Sequence, residues 1–176
     1  MIRRRSSILL LSAPLLLLAG PAASQNAVSA LKGHDSNAPV DVSADRIELQ
    51  DRADRALLTG NVQVRQGNLN LTAGRITVAY TRGGSTQIQR LDASGGVRVV
   101  SPSETASSAF GIYDLDRRLI TMMGGVVLSR NGSEVRGGRL VIDLDTGRAS
   151  VDGSAVGGGS GGRVTGHFTV PKRSTP

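Results

Sequence analysis

Between residues 40 and 151 apolar side chains recur at every second position in short runs. Ile47/Leu49, Val62/Val64, Leu69/Leu71, Ile76/Val78/Tyr80 and Val97/Val99 set the pattern, and Val126/Leu128, Leu140/Ile142/Leu144 and Val151 continue it. Polar or small residues fill the positions between them, as in Val62-Gln63-Val64. Side chains of a strand point alternately to its two faces, so this spacing predicts strands with one buried and one wet face. No window of a dozen residues carries a helical stripe. The chain is predicted to be all-β.

The turn chemistry fits that reading. Gln66-Gly67-Asn68 and Asn131-Gly132-Ser133 separate apolar pairs and supply residues that tolerate positive φ, as tight hairpins require. Arg82-Gly83-Gly84-Ser85 links a strand ending near Tyr80 to one starting near Gln87. Regular strand spacing of this kind points to a sandwich or a rolled, barrel-like sheet. The chain also repeats itself: Gly60-Asn61-Val62-Gln63-Val64 returns as Gly124-Gly125-Val126-Val127-Leu128, and Gly74-Arg75-Ile76-Thr77-Val78 as Gly138-Arg139-Leu140-Val141-Ile142, both at a spacing of 64 residues. A third copy of the first element stands at Gly95-Gly96-Val97-Arg98-Val99. One hairpin unit is thus used several times, and the Gly before each run predicts a bulge or sharp bend.

Composition narrows the chemistry. The 176 residues include no Cys, no Trp and only two His. Disulfides, thiolate metal sites and Cys nucleophiles are excluded, and His34 and His167 stand too far apart in sequence to suggest a metal cage or a catalytic relay. Aromatic content is 2%, so the core must be aliphatic. The net charge of +7 is inflated by the first residues, where Arg3, Arg4 and Arg5 precede an apolar run over 8–18 and small residues at Ala22, Ala23 and Ser24. A basic start, a short greasy middle and a small-residue exit describe a secretory signal peptide over residues 1–24. The run of 11 residues, broken by Pro14, is short of the ~20 that span a membrane. Retention of the segment as an N-terminal anchor is the alternative. Once it is removed, 18 basic residues face 14 acidic ones and the net charge falls to +4. Export and the shortage of stacking aromatics argue against nucleic acid.

The order and spacing of the motifs resemble a known family. Ala44, Asp45 and Ile47 form an Ala-Asp-x-Ile segment before Leu57-Leu58-Thr59-Gly60-Asn61-Val62-Gln63-Val64-Arg65-Gln66-Gly67. Leu71-Thr72-Ala73-Gly74-Arg75-Ile76 and Gly96-Val97-Arg98-Val99 follow, and the second half offers Ile112-Tyr113-Asp114-Leu115, Gly124-Gly125-Val126 and Val135-Arg136-Gly137-Gly138-Arg139-Leu140. Together, behind a leader, these resemble the OstA-like family of lipopolysaccharide transport. The likeness covers about residues 39–153. It implies a twisted, rolled antiparallel sheet, a β-jellyroll with an open apolar groove, working in the periplasm without cofactor or catalysis. It further implies lipopolysaccharide as cargo, an inner-membrane export complex with its tethered component LptC as donor, the outer-membrane translocon LptD as acceptor, and head-to-tail self-association. A membrane-tethered module of the same system is the alternative if the N-terminus is retained.

On that reading the domain plan is a leader (1–24), a flexible N-terminal segment (25–38), the β-jellyroll (39–153) and a Gly-rich linker with a basic tail (154–176). The inward members of the runs are the expected acyl-chain contacts: Val40, Val42, Ile47, Leu49, Val62, Val64, Val97, Val99, Tyr113, Leu115, Val126 and Leu128. Parity slips by one between Val42 and Ile47, which predicts a bulge or turn near Ala44-Asp45. An open roll leaves unpaired edges that invite strand addition, with residues 40–43 at one side and 140–144 or 148–151 at the other.

Other signatures carry less. Gly158-x-Ser160-x-Gly162 and Gly157-x-Gly159-x-x-Gly162 mimic a nucleophile elbow and a dinucleotide loop, but neither has a strand before it and a helix after it. Beyond them, residues 163–170 alternate weakly and suggest an extra strand or a docking peptide. Asp114/Asp116 and Asp143/Asp145 are carboxylate pairs that suit a hard cation or, more simply, a solvated strand surface. Asn131-Gly132-Ser133 matches a glycosylation acceptor, though a hairpin turn accounts for it fully. No acid–base or nucleophilic constellation is legible, and the chain reads as a non-enzyme.

Overall fold

The structure is a computed structural model that describes Leu31 and residues 34–153 and 162–169. The expected leader over 1–24 and most of the Gly-rich linker lie outside the described residues. Among the described residues there are ten strands: β1 (Val40–Ser43), β2 (Arg46–Gln50), β3 (Arg55–Gln66), β4 (Leu69–Gly83), β5 (Ser85–Val100), β6 (Glu104–Asp114), β7 (Leu119–Arg130), β8 (Ser133–Asp143), β9 (Arg148–Asp152) and β10 (Thr165–His167). All belong to one antiparallel sheet whose core order is sequential from β3 to β8. The expected hairpins close at Gly67, at Gly84 and at Asn131-Gly132, each with positive φ.

The sheet does not close into a ring. On one side β1 and β2 lie end to end along β3, against 63–66 and 55–59 respectively. On the other, β10 and β9 lie end to end along β8, against 134–136 and 139–143. Both edges of the sheet are therefore built from two short strands. The break between β1 and β2 falls at Ala44-Asp45, where the parity slip predicts it.

The repeated glycines mark a crease. In β3, β5 and β7 the pairs Gly60-Asn61, Gly95-Gly96 and Gly124-Gly125 all have positive φ and oppose single residues, Gly74, Ala109 and Gly138, on β4, β6 and β8. Each pair is a bulge, two residues against one, and a bulge bends its strand. Aligned across six strands, they fold the sheet into two panels. The approach there is close: a Cβ on Gly74 would lie 3.1 Å from the Gly95 carbonyl oxygen. The crease also resets parity. Ala73 and Ile76 are both buried although three residues apart, whereas Leu58 and Val62, across a two-residue bulge, keep the same parity.

The two panels face each other across one aliphatic core. Leu58, Ile76, Leu91, Ile120, Leu140 and Ile142 come from one side of the crease, and Val62, Val64, Leu71, Val97, Val99 and Val126 from the other, all at most 3% exposed. Each large aliphatic side chain so buried contributes about 1.5–3 kcal/mol. Tyr113, on the first panel, donates its hydroxyl to Gln66 Oε1 on the second at 2.5 Å, a polar tie between two apolar surfaces.

A candidate lipid-binding groove

Where the first panel extends beyond the second, its inner face is uncovered. A groove of about 390 Å³ lies there. Its floor is Ala56 and Leu58 of β3 with Val78 and Tyr80 of β4, its walls are Ile47 and Leu49 of β2 with Val42 of β1, and its far side is Thr86 and Ile88 of β5. Ile47 and Leu49 are 48% and 68% exposed, which is unusual for strand leucine and isoleucine on the inner face of a sheet.

The mouth carries the charged lining found among the described residues, Asp51 and Arg82. Asp51 begins a single 3₁₀ turn (Asp51–Ala53) between β2 and β3, while Arg82 stands near the tip of the β4–β5 hairpin. Arg82 Nη2 meets Asp51 Oδ1 at 3.0 Å, its Nε meets Asp54 Oδ1 at 3.1 Å, and its guanidinium lies 5.5 Å from the Tyr80 ring centroid. This staple links the β2–β3 corner to the β4–β5 tip. Arg82 thus bridges two carboxylates at this corner, Asp51 and Asp54.

At the other end the roll is shut. The space among Leu31, Val99, Ser101, Glu104, Ala106, Leu128 and Ile142 is too small for a water molecule. The segment expected to be flexible instead contributes two buried side chains, Leu31 at 1% and His34 at 8% exposure. The Leu31 side chain packs into the apolar core, and its carbonyl oxygen accepts the His34 N–H at 2.9 Å. His34 is captured by hydrogen bonding, with Nδ1 3.1 Å from Asn68 Oδ1 and Nε2 3.3 Å from Gln66 Oε1. Gln66 Nε2 in turn donates to the backbone oxygens of Ser36 and Ala38 at 2.9 and 3.0 Å. Burial pushes the Tyr113 phenol up to about 12 in this cluster.

The twelve residues expected to contact acyl chains fall into three groups. Val42, Ile47 and Leu49 come together on the open groove. Val62, Val64, Val97, Val99, Tyr113 and Val126 lie in the packed interior behind it, while Val40, Leu115 and Leu128 are half-buried against that interior. The groove also uses Ala56, Leu58, Val78, Tyr80 and Ile88, which share the alternating pattern, although nothing in the spacing alone sets them apart from core. Leu31 and His34 carry no periodic signal, whereas Gln66 continues the inward parity of Val62 and Val64 as a polar residue.

The acidic pairs serve turns. Asp143 Oδ1 accepts hydrogen bonds from the backbone N–H groups of Asp145 and Thr146 at 3.0 and 2.9 Å, and the Thr146 bond is the main reason its pKa lies below the ordinary carboxylate value. Asp145 pairs with Arg118 at 2.8 Å, and Asp114 with Arg117 at 3.4 Å. Among the described residues no group of three His, Asp or Glu side chains is placed to hold a metal ion. No helix among them is long and apolar enough to cross a membrane.

A creased, unclosed antiparallel sheet with an aliphatic interior is an open β-jellyroll. The profile described as "LptA/(LptD N-terminal domain) LPS transport protein" matches residues 41–148, and the chain belongs to this lipopolysaccharide-transport family. An uncharacterized protein of Rhizobium meliloti (strain 1021) is 32% identical over 168 residues, spanning 90% of this chain and 87% of the relative. Among solved structures, the fold matches LptH of Pseudomonas aeruginosa, described as the LptA homologous periplasmic component of the conserved lipopolysaccharide transport device. That match has a TM-score of 0.68 and 20% identity, and covers 78% of this chain and 99% of LptH.

Proposed function

We propose that this chain is a soluble periplasmic bridge that binds lipopolysaccharide and passes it from the inner to the outer membrane without chemistry. The open groove, with Ile47, Leu49 and Ile88 on its walls, is the observation that carries the reading. An acyl chain of about a dozen methylenes costs roughly 10 kcal/mol to expose to water, at ~0.8 kcal/mol each. A carrier must offset most of that, yet release its cargo. A shallow aliphatic groove, open along one side, suits both demands, because it covers a chain without enclosing it. A cavity of 150 Å³ accommodates benzene, so a groove of about 390 Å³ holds on the order of fifteen carbons, one acyl chain rather than several.

The remaining chains need further apolar surface, which the two open edges can recruit. β1 and β2 offer unpaired backbone groups along one side and β9 along the other. Strand addition there lets rolls stack head to tail, and lets the first and last copies engage LptC at the inner membrane and LptD at the outer. The leader over 1–24 delivers the chain to the periplasm, and residues 39–153 form the transporting domain. The deeper candidates Val62, Val64, Val97, Val99, Tyr113 and Val126 back the groove and meet cargo only when the panels part. Val40, Leu115 and Leu128 lie half-buried against the same interior, Leu128 at its far end.

Site-specific photo-crosslinking in lipopolysaccharide-producing cells tests this. A probe at Leu49 or Ile88 is expected to capture lipopolysaccharide, and a probe at Gln63 or Arg98 on the wet face is expected to capture none. Equal capture from both faces overturns the assignment of the groove.

A further inference from the structure

The crease has an outer side as well as an inner one. The two panels fold toward each other across the core, so the opposite side of the crease is a convex ridge running across the strands. One register row along it reads Arg75 of β4, Ser94 of β5, Phe110 of β6, Met123 of β7 and Arg139 of β8. These side chains point away from the core, because their chain neighbours Ile76, Ala93, Met122 and Leu140 are buried on the inner face.

Phe110 is 55% exposed. The residues that follow its register partners on the two neighbouring strands are crease glycines, Gly95-Gly96 and Gly124-Gly125, which have no side chain to cover the ring. Arg75 and Arg139 each stand two strands away from Phe110, about 10 Å, on opposite sides. Arg98, on β5 just across the crease, is a third guanidinium on the same outer face. All three arginines are exposed, and none makes an ion pair among the described residues, although Asp152 lies opposite Arg139 in the register. Arg82, Arg90, Arg118 and Arg136, by contrast, are each engaged by a carboxylate.

We propose that this ridge docks the chain on an anionic bilayer surface, with Phe110 inserted at the headgroup boundary and Arg75, Arg98 and Arg139 on lipid phosphates. An apolar ring flanked by free guanidinium groups matches the layering of such a surface, where apolar side chains sit at the acyl boundary and cations pair with phosphate. A convex ridge meets a flat surface along its length and offers no pocket to a small ligand. The contact leaves the groove free, because the groove opens on the inner face of the sheet. It stands on the outer face alone and does not depend on what the groove carries.

The test floats the exported chain with phosphatidylcholine vesicles made with and without phosphatidylglycerol. Binding is expected only with the anionic lipid and is expected to weaken as salt is added. Arg75→Gln combined with Arg139→Gln is expected to weaken it about 25-fold, at about fivefold per arginine near an anionic surface. Arg55→Gln combined with Arg148→Gln removes the same charge from exposed, unpaired positions on the outer face away from the crease, and is expected to leave affinity within about twofold. Equal binding to neutral vesicles, or an equal loss from the two pairs, overturns the proposal. The chain has no Trp, so Phe110→Trp and, separately, Phe168→Trp each place a single fluorescent reporter at one of the two exposed phenylalanines. Emission from Phe110→Trp is expected to shift to the blue on anionic vesicles and to be quenched by brominated lipid, while that from Phe168→Trp stays unchanged. No shift from Phe110→Trp, or an equal or larger one from Phe168→Trp, overturns the proposal.

Discussion

Asp45 lies directly over the glycine crease of β3: its Oδ2 accepts a hydrogen bond from Asn61 Nδ2 at 2.9 Å, and its backbone N–H donates to the Gly60 carbonyl at 2.9 Å. One carboxylate therefore ties the β1–β2 corner to the bulge that bends the neighbouring strand. Gly60 has φ +77° beneath it, and a Cβ there would collide with the Asp45 carboxylate. The Ala-Asp-x-Ile and Thr-Gly-Asn-Val segments, far apart in sequence, are two halves of one corner.

This makes the pair testable as a cycle. Asp45→Ala removes one exposed hydrogen bond and is expected to cost about 1 kcal/mol. Gly60→Ala forces a side chain into the left-handed region against Asp45 and is expected to cost about 1–3 kcal/mol. Made together, the two are expected to cost less than their sum by at least ~0.5 kcal/mol, since the collision disappears with the carboxylate. Urea unfolding of the four proteins gives the answer, and strict additivity would show that the corner is not coupled.

Tyr113 gives a stability signal with a defined pH window. Tyr113→Phe removes the hydroxyl that bridges the panels and is expected to cost about 1 kcal/mol at neutral pH. An unfolded tyrosine ionises near pH 10, whereas burial holds the Tyr113 proton to about 12. The folded state binds this proton more tightly, so its contribution is intact below pH 10 and is lost as pH rises through 12. The stability gap between the unaltered chain and Tyr113→Phe is therefore expected to shrink across that window. A gap that stays constant from pH 8 to 12 would place the phenol in contact with water.

Charge insertion separates groove from core. Leu49 is 68% exposed, so Leu49→Glu is expected to change stability by no more than about 0.5 kcal/mol while sharply reducing lipopolysaccharide capture. Val97 is 1% exposed with a fully apolar surround, so Val97→Glu buries an unpaired carboxylate and is expected to unfold the chain at neutral pH. Melting curves and crosslinking yields read together decide this. Loss of folding in Leu49→Glu would mean that the groove is closed in solution.

These contrasts mark how far the sequence could be read. Alternation such as Val62-Gln63-Val64 reports which face of a strand is apolar, and the glycine pairs report where it bends, because both are local properties of backbone and side chain. The all-β roll, its hairpins and the break at Ala44-Asp45 were legible for that reason. Which stretch of the apolar face is covered depends on how the second panel lies over the first. Leu49 and Leu58 look equivalent along the chain, yet one is exposed and the other is 1% exposed. Leu31 and His34 are set by non-local capture and give no periodic signal at all.

The C-terminal strand adds a last expectation about assembly. β10 pairs with β8 at Arg136, Val135 and Glu134, and is pinned beyond its end by Thr169, whose Oγ1 donates to the Gly132 carbonyl at 2.9 Å and whose N–H reaches Ser133 Oγ at 3.2 Å. All three of its residues are exposed, so it is held by backbone hydrogen bonds with almost no apolar burial. Such a strand covers an edge weakly. Deleting residues 154–176 is expected to bare the backbone groups of β8 at 134–136 beside β9, giving a longer continuous edge for strand addition. Sedimentation velocity of the truncated chain should then show a larger associated fraction at equal concentration than the unaltered chain shows. A truncated chain that associates less would reverse the role, making β10 the surface on which the next copy docks rather than its competitor.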